Sequence, residues 1–298
     1  MKWIARAALC VSSMLLMVTA LAGSASAAMP GRNGKIAMTY RPGATDDLAT
    51  IKPDGSAFAV LSAIGFTSNS SPAYSPDGRR LCFTSTISGN PDIWAAKADG
   101  TGAMQLTQNA ATDRHCTWSA DGTRIAFSSN RDGDYDLYTM TSAGKRERQL
   151  ENLPGTSGNP SWSPLGKKIA YDNTDGGDGE VWVISASGTG AHAVTSDGAD
   201  DIDPDWSPNG KKIVFISTRS GNGDVYTMKA NGDNQTNIIP DGVAESDPEW
   251  SPDGKKIAYA ISTGEIFVCG SDGSFPTNLT TAQAGFASAP AWQPRKRR

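Results

Sequence analysis

Histidine and cysteine are nearly missing. Only His115 and His192 occur in the 298 residues, and a zinc centre needs three or four nitrogen or sulfur ligands, so none is convincingly supplied. The four cysteines are too sparse for a disulfide-dependent scaffold, and an ordinary hydrophobic core must hold the fold. Cys10 lies in an N-terminal apolar segment, which leaves Cys82, Cys116 and Cys269, an odd set that cannot pair completely within one chain. No Gly-x-Ser-x-Gly elbow or phosphate-cradling loop occurs, so the usual signatures of a hydrolase nucleophile and of a nucleotide site are missing. A basic excess is missing too: 27 Lys and Arg stand against 31 Asp and Glu, which argues against duplex nucleic acid, whose affinity comes largely from neutralised phosphates.

Long hydrophobic runs are equally scarce. The one candidate, from about Ala7 to Leu21, is too short to span a bilayer well. Lys2 and Arg6 precede it and Ala25-Ser26-Ala27 follows, the pattern of a secretory signal cleaved after Ala27. The expected organisation is a signal peptide at 1–27, one domain at 28–294 and a basic tail, Arg295-Lys296-Arg297-Arg298. A monomer without a transmembrane segment, periplasmic or fully secreted, follows. Its charge balance becomes 25 basic against 31 acidic residues, a net of −6.

What the chain has in abundance is a repeat. Pro-x-Trp-Ser-Pro-Asp-Gly-Lys-Lys-Ile-Ala recurs with its aromatic at Tyr74, Trp118, Trp162, Trp206 and Trp250, 44 residues apart, and Trp292 follows after 42. Each unit reads as four short strands. Strand a carries the aromatic, and a Pro-Asp-Gly-type turn follows it. Strand b is Ile36-Ala37-Met38 or its counterparts, such as Leu81-Cys82-Phe83 and Ile125-Ala126-Phe127. Strand c is Ile93-Trp94-Ala95 or Leu137 to Met140, and strand d is a brief segment ending in pairs such as Leu106-Thr107. Such short strands between Gly-rich turns leave no room for crossover helices. The spacing therefore predicts an all-β six-bladed propeller of four-stranded antiparallel blades. Five units are complete; the N-terminus supplies b, c and d, and the C-terminus supplies a lone a strand at Pro290 to Trp292. The two ends are expected to share a sixth blade, and closure removes free sheet edges.

The Pro-x-Trp-Ser-Pro-Asp-Gly-Lys-Lys unit is followed by a Ser-x-Arg-x-Gly loop (Ser129 to Gly133, with Thr218 to Gly221 its counterpart) and an Asp-hydrophobic-Tyr-x-Met strand (Asp136 to Met140, Asp224 to Met228). It resembles the WD40-like repeat of the TolB propeller family over roughly Gly34 to Pro294. That resemblance implies a six-bladed propeller and, in the family, a periplasmic scaffold that binds partner proteins of the cell envelope. Pro30 to Asn33 lead straight into the first strand, so the small α/β domain that precedes the family's propeller is not expected. The same repeat stands before peptidase domains and in certain polysaccharide lyases.

A four-stranded meander puts a–b and c–d turns on one face and b–c loops with d–a connectors on the other, and sorting by that rule separates charge. The a–b side is basic, with Arg79, Lys167, Lys168, Lys211, Lys212, Lys255 and Lys256 among its residues. The opposite side is acidic, and Asp113, Asp200, Asp201, Asp203, Glu245 and Asp247 are expected near the channel mouth, where they would attract a cation or a basic partner. His115 is the one histidine placed there. Arg131 and Arg219, in equivalent loops, are candidate ligand contacts or partners of neighbouring carboxylates. Asp132, Asp134 and Asp136 alternate like the opening of a calcium loop, with Asp175, Asp178 and Glu180 as the next blade's counterpart; calcium, the only cofactor suggested, needs six to eight oxygens. The repeated serines at 75, 119, 163, 207 and 251 are expected to be architectural, and the aromatics to pack between blades. Cys116 is expected to be a buried, inert thiol rather than half of a dyad with His115, because adjacent strand residues face opposite ways. These features point to a non-catalytic binding scaffold for a protein or peptide of the cell envelope or extracellular space. A metal-dependent polysaccharide lyase or hydrolase and a glycan-binding module are the alternatives.

Overall fold

A computed structural model describes residues 29–61 and 68–295; the expected signal segment and the tail beyond Arg295 lie outside them. Six four-stranded antiparallel sheets form the blades. Blade 1 takes strand a from Phe286–Arg295 and strands b to d from Arg32–Arg41, Asp47–Ile51 and Ala59–Val60. Blades 2 to 6 each run a to d in chain order, their a strands being Asn69–Tyr74, Asp113–Trp118, Ser157–Trp162, Asp201–Trp206 and Glu245–Trp250. The a strands of successive blades contact one another around the ring, whereas the d strands touch only their own c strands closely. Strand a is therefore innermost. Ring closure is the shared blade, with Ile36 opposite Trp292 and Ala37 opposite Ala291.

The repeated serine shapes every a–b turn. Ser75 Oγ accepts the Arg80 amide at 3.0 Å and donates to Asp77 at 2.7 Å, and Ser119, Ser207 and Ser251 repeat both contacts with Asp121, Asn209 and Asp253. Its recurrence is architecture, as expected. The glycine that follows takes positive φ, 68° at Gly78, where a β-carbon would come within 2.2 Å of the Pro294 carbonyl; no side chain fits between that turn and the closing strand.

The aromatic of each a strand packs on the preceding blade. Trp118 joins Ala73, Cys82 and Ile93, Trp206 joins Ala170, Val181 and Val183, and Trp292 joins Ala258, Ile266 and Val268. All six are at most 3% exposed, so the 44-residue period places one wedge at each blade interface. Cys116 is where the sequence reading is corrected: it is buried, but it forms a disulfide with Cys82. Strand b of blade 2 faces strand a of blade 3, so two residues 34 apart in sequence meet across an interface. Cys269 is the free cysteine among the described residues, buried in blade 6, and burial pushes its thiol up to about 12.

Candidate functional site at the channel mouth

Each a strand breaks its register with strand b through a bulge. One residue per blade adopts positive φ there: Ser71, His115, Asn159, Asp203, Asp247 and Ala289, between 44° and 55°. A bulge turns its strand and re-aims side chains, so these six positions form a ring at the acidic end of the channel. Amides of this ring are caught by the preceding blade. Ser71 donates to Thr39 Oγ1 at 2.9 Å, His115 to Thr84 Oγ1 at 3.3 Å, Asp203 to Asp172 Oδ2 at 3.1 Å and Ala289 to Asp247 Oδ2 at 3.2 Å.

One layer deeper the pattern repeats. The Trp162 amide donates to Thr117 at 3.4 Å, Trp206 to Ser161 at 3.3 Å, Trp250 to Asp205 at 2.8 Å and Trp292 to Glu249 at 2.9 Å. Five acidic residues, Asp172, Asp203, Asp205, Asp247 and Glu249, are thereby buried around the channel. Burial, with Asp247 and Asp172 close by, holds Asp203 well above the usual carboxylate range. Burial and then Asp205 do the same for Glu249, and burial raises Asp172. Desolvation disfavours the charged form, and like charges add to it.

Two adjoining cavities open at the mouth and share Asp46, Ser70 and Ser71. One, of about 390 Å³, is lined also by Arg114, His115, Asn159 and Asp172. The other, of about 420 Å³, is lined by Arg41, Glu245 and Asp247 with apolar Ala244, Ile261, Phe286 and Ala289. His115 is 7% exposed and sits in the wall. The Arg114 guanidinium lies 3.8 Å from the Tyr135 ring centroid, a cation–π contact.

The remaining sequence candidates divide clearly. Arg131 pairs with buried Asp113 at 3.2 Å and with Glu147 at 2.5 Å, and it covers the Tyr138 ring. Arg219 pairs with buried Asp201 at 2.7 Å and with Asp197 at 2.8 Å over the Tyr226 ring. Both arginines thus clamp the start of an a strand to a b–c loop. Glu245 holds the equivalent position in blade 6, where Thr263 replaces the arginine. Buried without a cation, and near Asp241 and Asp224, it is pushed up to about 9. Asp200, exposed, accepts the Gly179 amide at 2.9 Å.

The calcium candidates are spread among other duties. Asp136 is buried and accepts from Gln149 at 2.9 Å, Asp132 accepts the Tyr138 hydroxyl and Glu180 accepts Thr195 Oγ1 at 2.6 Å. Asp134, Asp175 and Asp178 are exposed. Among the described residues no three His, Cys, Asp or Glu side chains are grouped to hold a metal ion. His192, on a d strand, is exposed, with Nδ1 2.9 Å from the Gly190 carbonyl oxygen.

The sequence reading missed Asp205 and Glu249 as channel groups. Their signal was strand alternation: each precedes a tryptophan that points into a blade interface, so its own side chain points the other way.

These features define a six-bladed propeller with a polar, acid-rich channel opening on the b–c face. The chain belongs to the TolB propeller family: the profile described as TolB beta propeller domain matches residues 54–152 and 142–297. The Tol-Pal system protein TolB of Anaeromyxobacter dehalogenans (strain 2CP-C) is 47% identical over 45 residues, a stretch that covers 15% of this chain and only 10% of that protein. TolB from Acinetobacter baumannii superposes with a TM-score of 0.78 at 23% identity, over 90% of this chain and 68% of that one. The putative TolB from Agrobacterium tumefaciens gives 0.66 at 19% identity, over 88% and 99%. At such identities the two structures speak for the fold.

Proposed function

We propose that this protein is an exported, non-catalytic binding scaffold whose channel mouth receives a segment of a protein or peptide partner in the cell envelope or extracellular space. The observation that carries the reading is the pair of adjoining cavities on the acidic face. Carboxyl groups at Asp172 and Asp247, beside the Arg41–Asp46 ion pair, favour a donor-rich segment, while Ile261, Phe286 and Ala289 offer an apolar wall beside them. The matched relatives carry the name Tol-Pal system protein, which supports an envelope partner. A structural disulfide supports export, because such bonds persist in oxidising compartments.

Crosslinking and pull-down from envelope extracts, with the native protein and Ser70→Trp side by side, tests this. Ser70 belongs to both cavities, so the bulky substitution should abolish capture of any partner seated there without altering the melting temperature. Recovery of no specific partner, or equal recovery with the filled mouth, would sink the reading. Calcium is tested separately by calorimetric titration; neither heat nor a melting shift at millimolar calcium would remove it.

A further inference from the structure

The proposed function leaves the a–b and c–d face unused. Three of its repeat turns carry a carboxylate tied down locally: Asp77, Asp121 and Asp253 each accept from the preceding serine and from an amide two residues on. Blades 4 and 5 differ. Leu165 stands in the blade 4 turn ahead of Lys167 and Lys168, and Asn209 stands in the blade 5 turn ahead of Lys211 and Lys212. Four exposed lysines therefore follow one another on adjacent turns that hold no carboxylate. The blade 3 c–d turn extends the patch with exposed Lys145 and Arg146, and its Arg148 reaches the Ser187 carbonyl in blade 4 at 3.3 Å. The ion pairs among the described residues involve Arg41, Arg131 and Arg219 and none of these cations.

Two apolar side chains share this face. Leu165 is 69% exposed and leans on the blade 5 turn, where a β-carbon on Gly210 would lie 3.4 Å from its Cδ1. That same turn borders an open depression of about 830 Å³ lined by Asn209, Lys212, Pro252, Ser271 and Asp253, the last held by Ser251 and the Lys255 amide. Ser271 begins the blade 6 c–d turn that leads to Phe275, which at 89% is the most exposed large hydrophobic residue among those described. Leucine, lysines and depression meet at the blade 5 turn, and Phe275 stands on the c–d turn of the next blade. A hydrated polyanion would use the lysines and gain nothing from Leu165 or Phe275. Anionic lipid uses both, through headgroup phosphates and the acyl boundary.

We propose that this face is a peripheral docking surface for bilayers containing anionic phospholipid, with Lys167, Lys168, Lys211 and Lys212 on the phosphates and Leu165 and Phe275 entering the interface. This is independent of the channel reading, and it turns the acidic mouth away from the bilayer.

Sedimentation with vesicles of phosphatidylcholine, with or without phosphatidylglycerol, tests it. The protein should sediment with phosphatidylglycerol vesicles, weaken as salt rises, and stay in solution with phosphatidylcholine alone. Each Lys→Gln change at 211 or 212 should weaken partition about fivefold. Leu165→Asp, which restores the residue type of the sister turns, should weaken it roughly tenfold, and Phe275→Ser should do likewise should Leu165→Asp fail to fold. Ile87→Ser, an exposed apolar residue on the opposite face, is the control and should bind as the native protein does. Equal binding to both vesicle types, no binding to either, or undiminished partition of Leu165→Asp and Phe275→Ser would overturn the proposal. Soluble polyphosphate that binds native protein and Leu165→Asp alike, with vesicles ignored, would identify a polyanion site instead.

Discussion

Arg131 and Arg219 do at residue scale what the repeat does for whole blades. Each guanidinium neutralises a fully buried aspartate at the start of an a strand, Asp113 or Asp201, and covers the tyrosine of strand c. Arg219→Met should therefore cost ~3 kcal/mol in denaturant unfolding, because removing one partner leaves the other buried and uncompensated. Asp201→Asn in that background should recover part of the loss. Glu245 presents the opposite situation, a buried carboxyl with no arginine. Its folded pKa of about 9 lies above the ordinary glutamate value, so the native state holds a proton that the unfolded chain releases. Stability from this group is full below the ordinary value and is lost as pH climbs towards 9. Glu245→Gln should match the native protein in melting temperature at pH 5 and exceed it at pH 9, as scanning calorimetry at both values would show. Identical pH profiles would contradict the assigned protonation.

At the scale of strands and blades, the interface between neighbours is the unit of stability. An aromatic wedge seals it, and at four interfaces the channel-side residue before the aromatic, Thr117, Ser161, Asp205 or Glu249, accepts the tryptophan amide of the next blade. The Cys82–Cys116 bond adds a covalent staple at the interface of blades 2 and 3. Closing a loop of this size constrains the unfolded chain by about 4 kcal/mol, so Cys82→Ala with Cys116→Ala should unfold at correspondingly lower denaturant, and reductant should move the native protein but not the double variant. The staple was not legible from the cysteine count. Its two halves fit different repeat positions, Cys82 where other blades have a small residue in strand b and Cys116 where they have proline in strand a, and only the angular packing of blade 2 on blade 3 brings them together.

For the whole molecule, the ring is as strong as its closing blade. Strand Phe286–Arg295 pairs with Arg32–Arg41, and Trp292 fills the last interface. A variant lacking residues 286–298 should lose cooperative thermal unfolding and aggregate through the exposed edge of strand b. Adding the strand as a synthetic peptide should restore the transition in part, by strand addition. A truncated chain that melts like the native protein would mean that five blades and three strands suffice.

The sequence by itself determined the blades, their number and the way the ends meet, because a 44-residue period with fixed aromatic and turn positions admits one radial arrangement. It also determined that charge would divide between the two faces, since turn position alone assigns each loop to an end of the ring. Tertiary structure decided what the acidic residues do. Asp113 and Asp201 became ion pairs, Asp172, Asp205, Asp247 and Glu249 became buried acceptors for neighbouring amides, and the alternating Asp132, Asp134 and Asp136 parted to different surroundings. The physical reason is that a carboxylate's role depends on which donor or cation the fold sets beside it: an arginine 18 residues on in the same blade for Asp113 and Asp201, and an amide of the next blade for Asp205 and Glu249, neither of them given by the residues that flank the carboxylate in sequence.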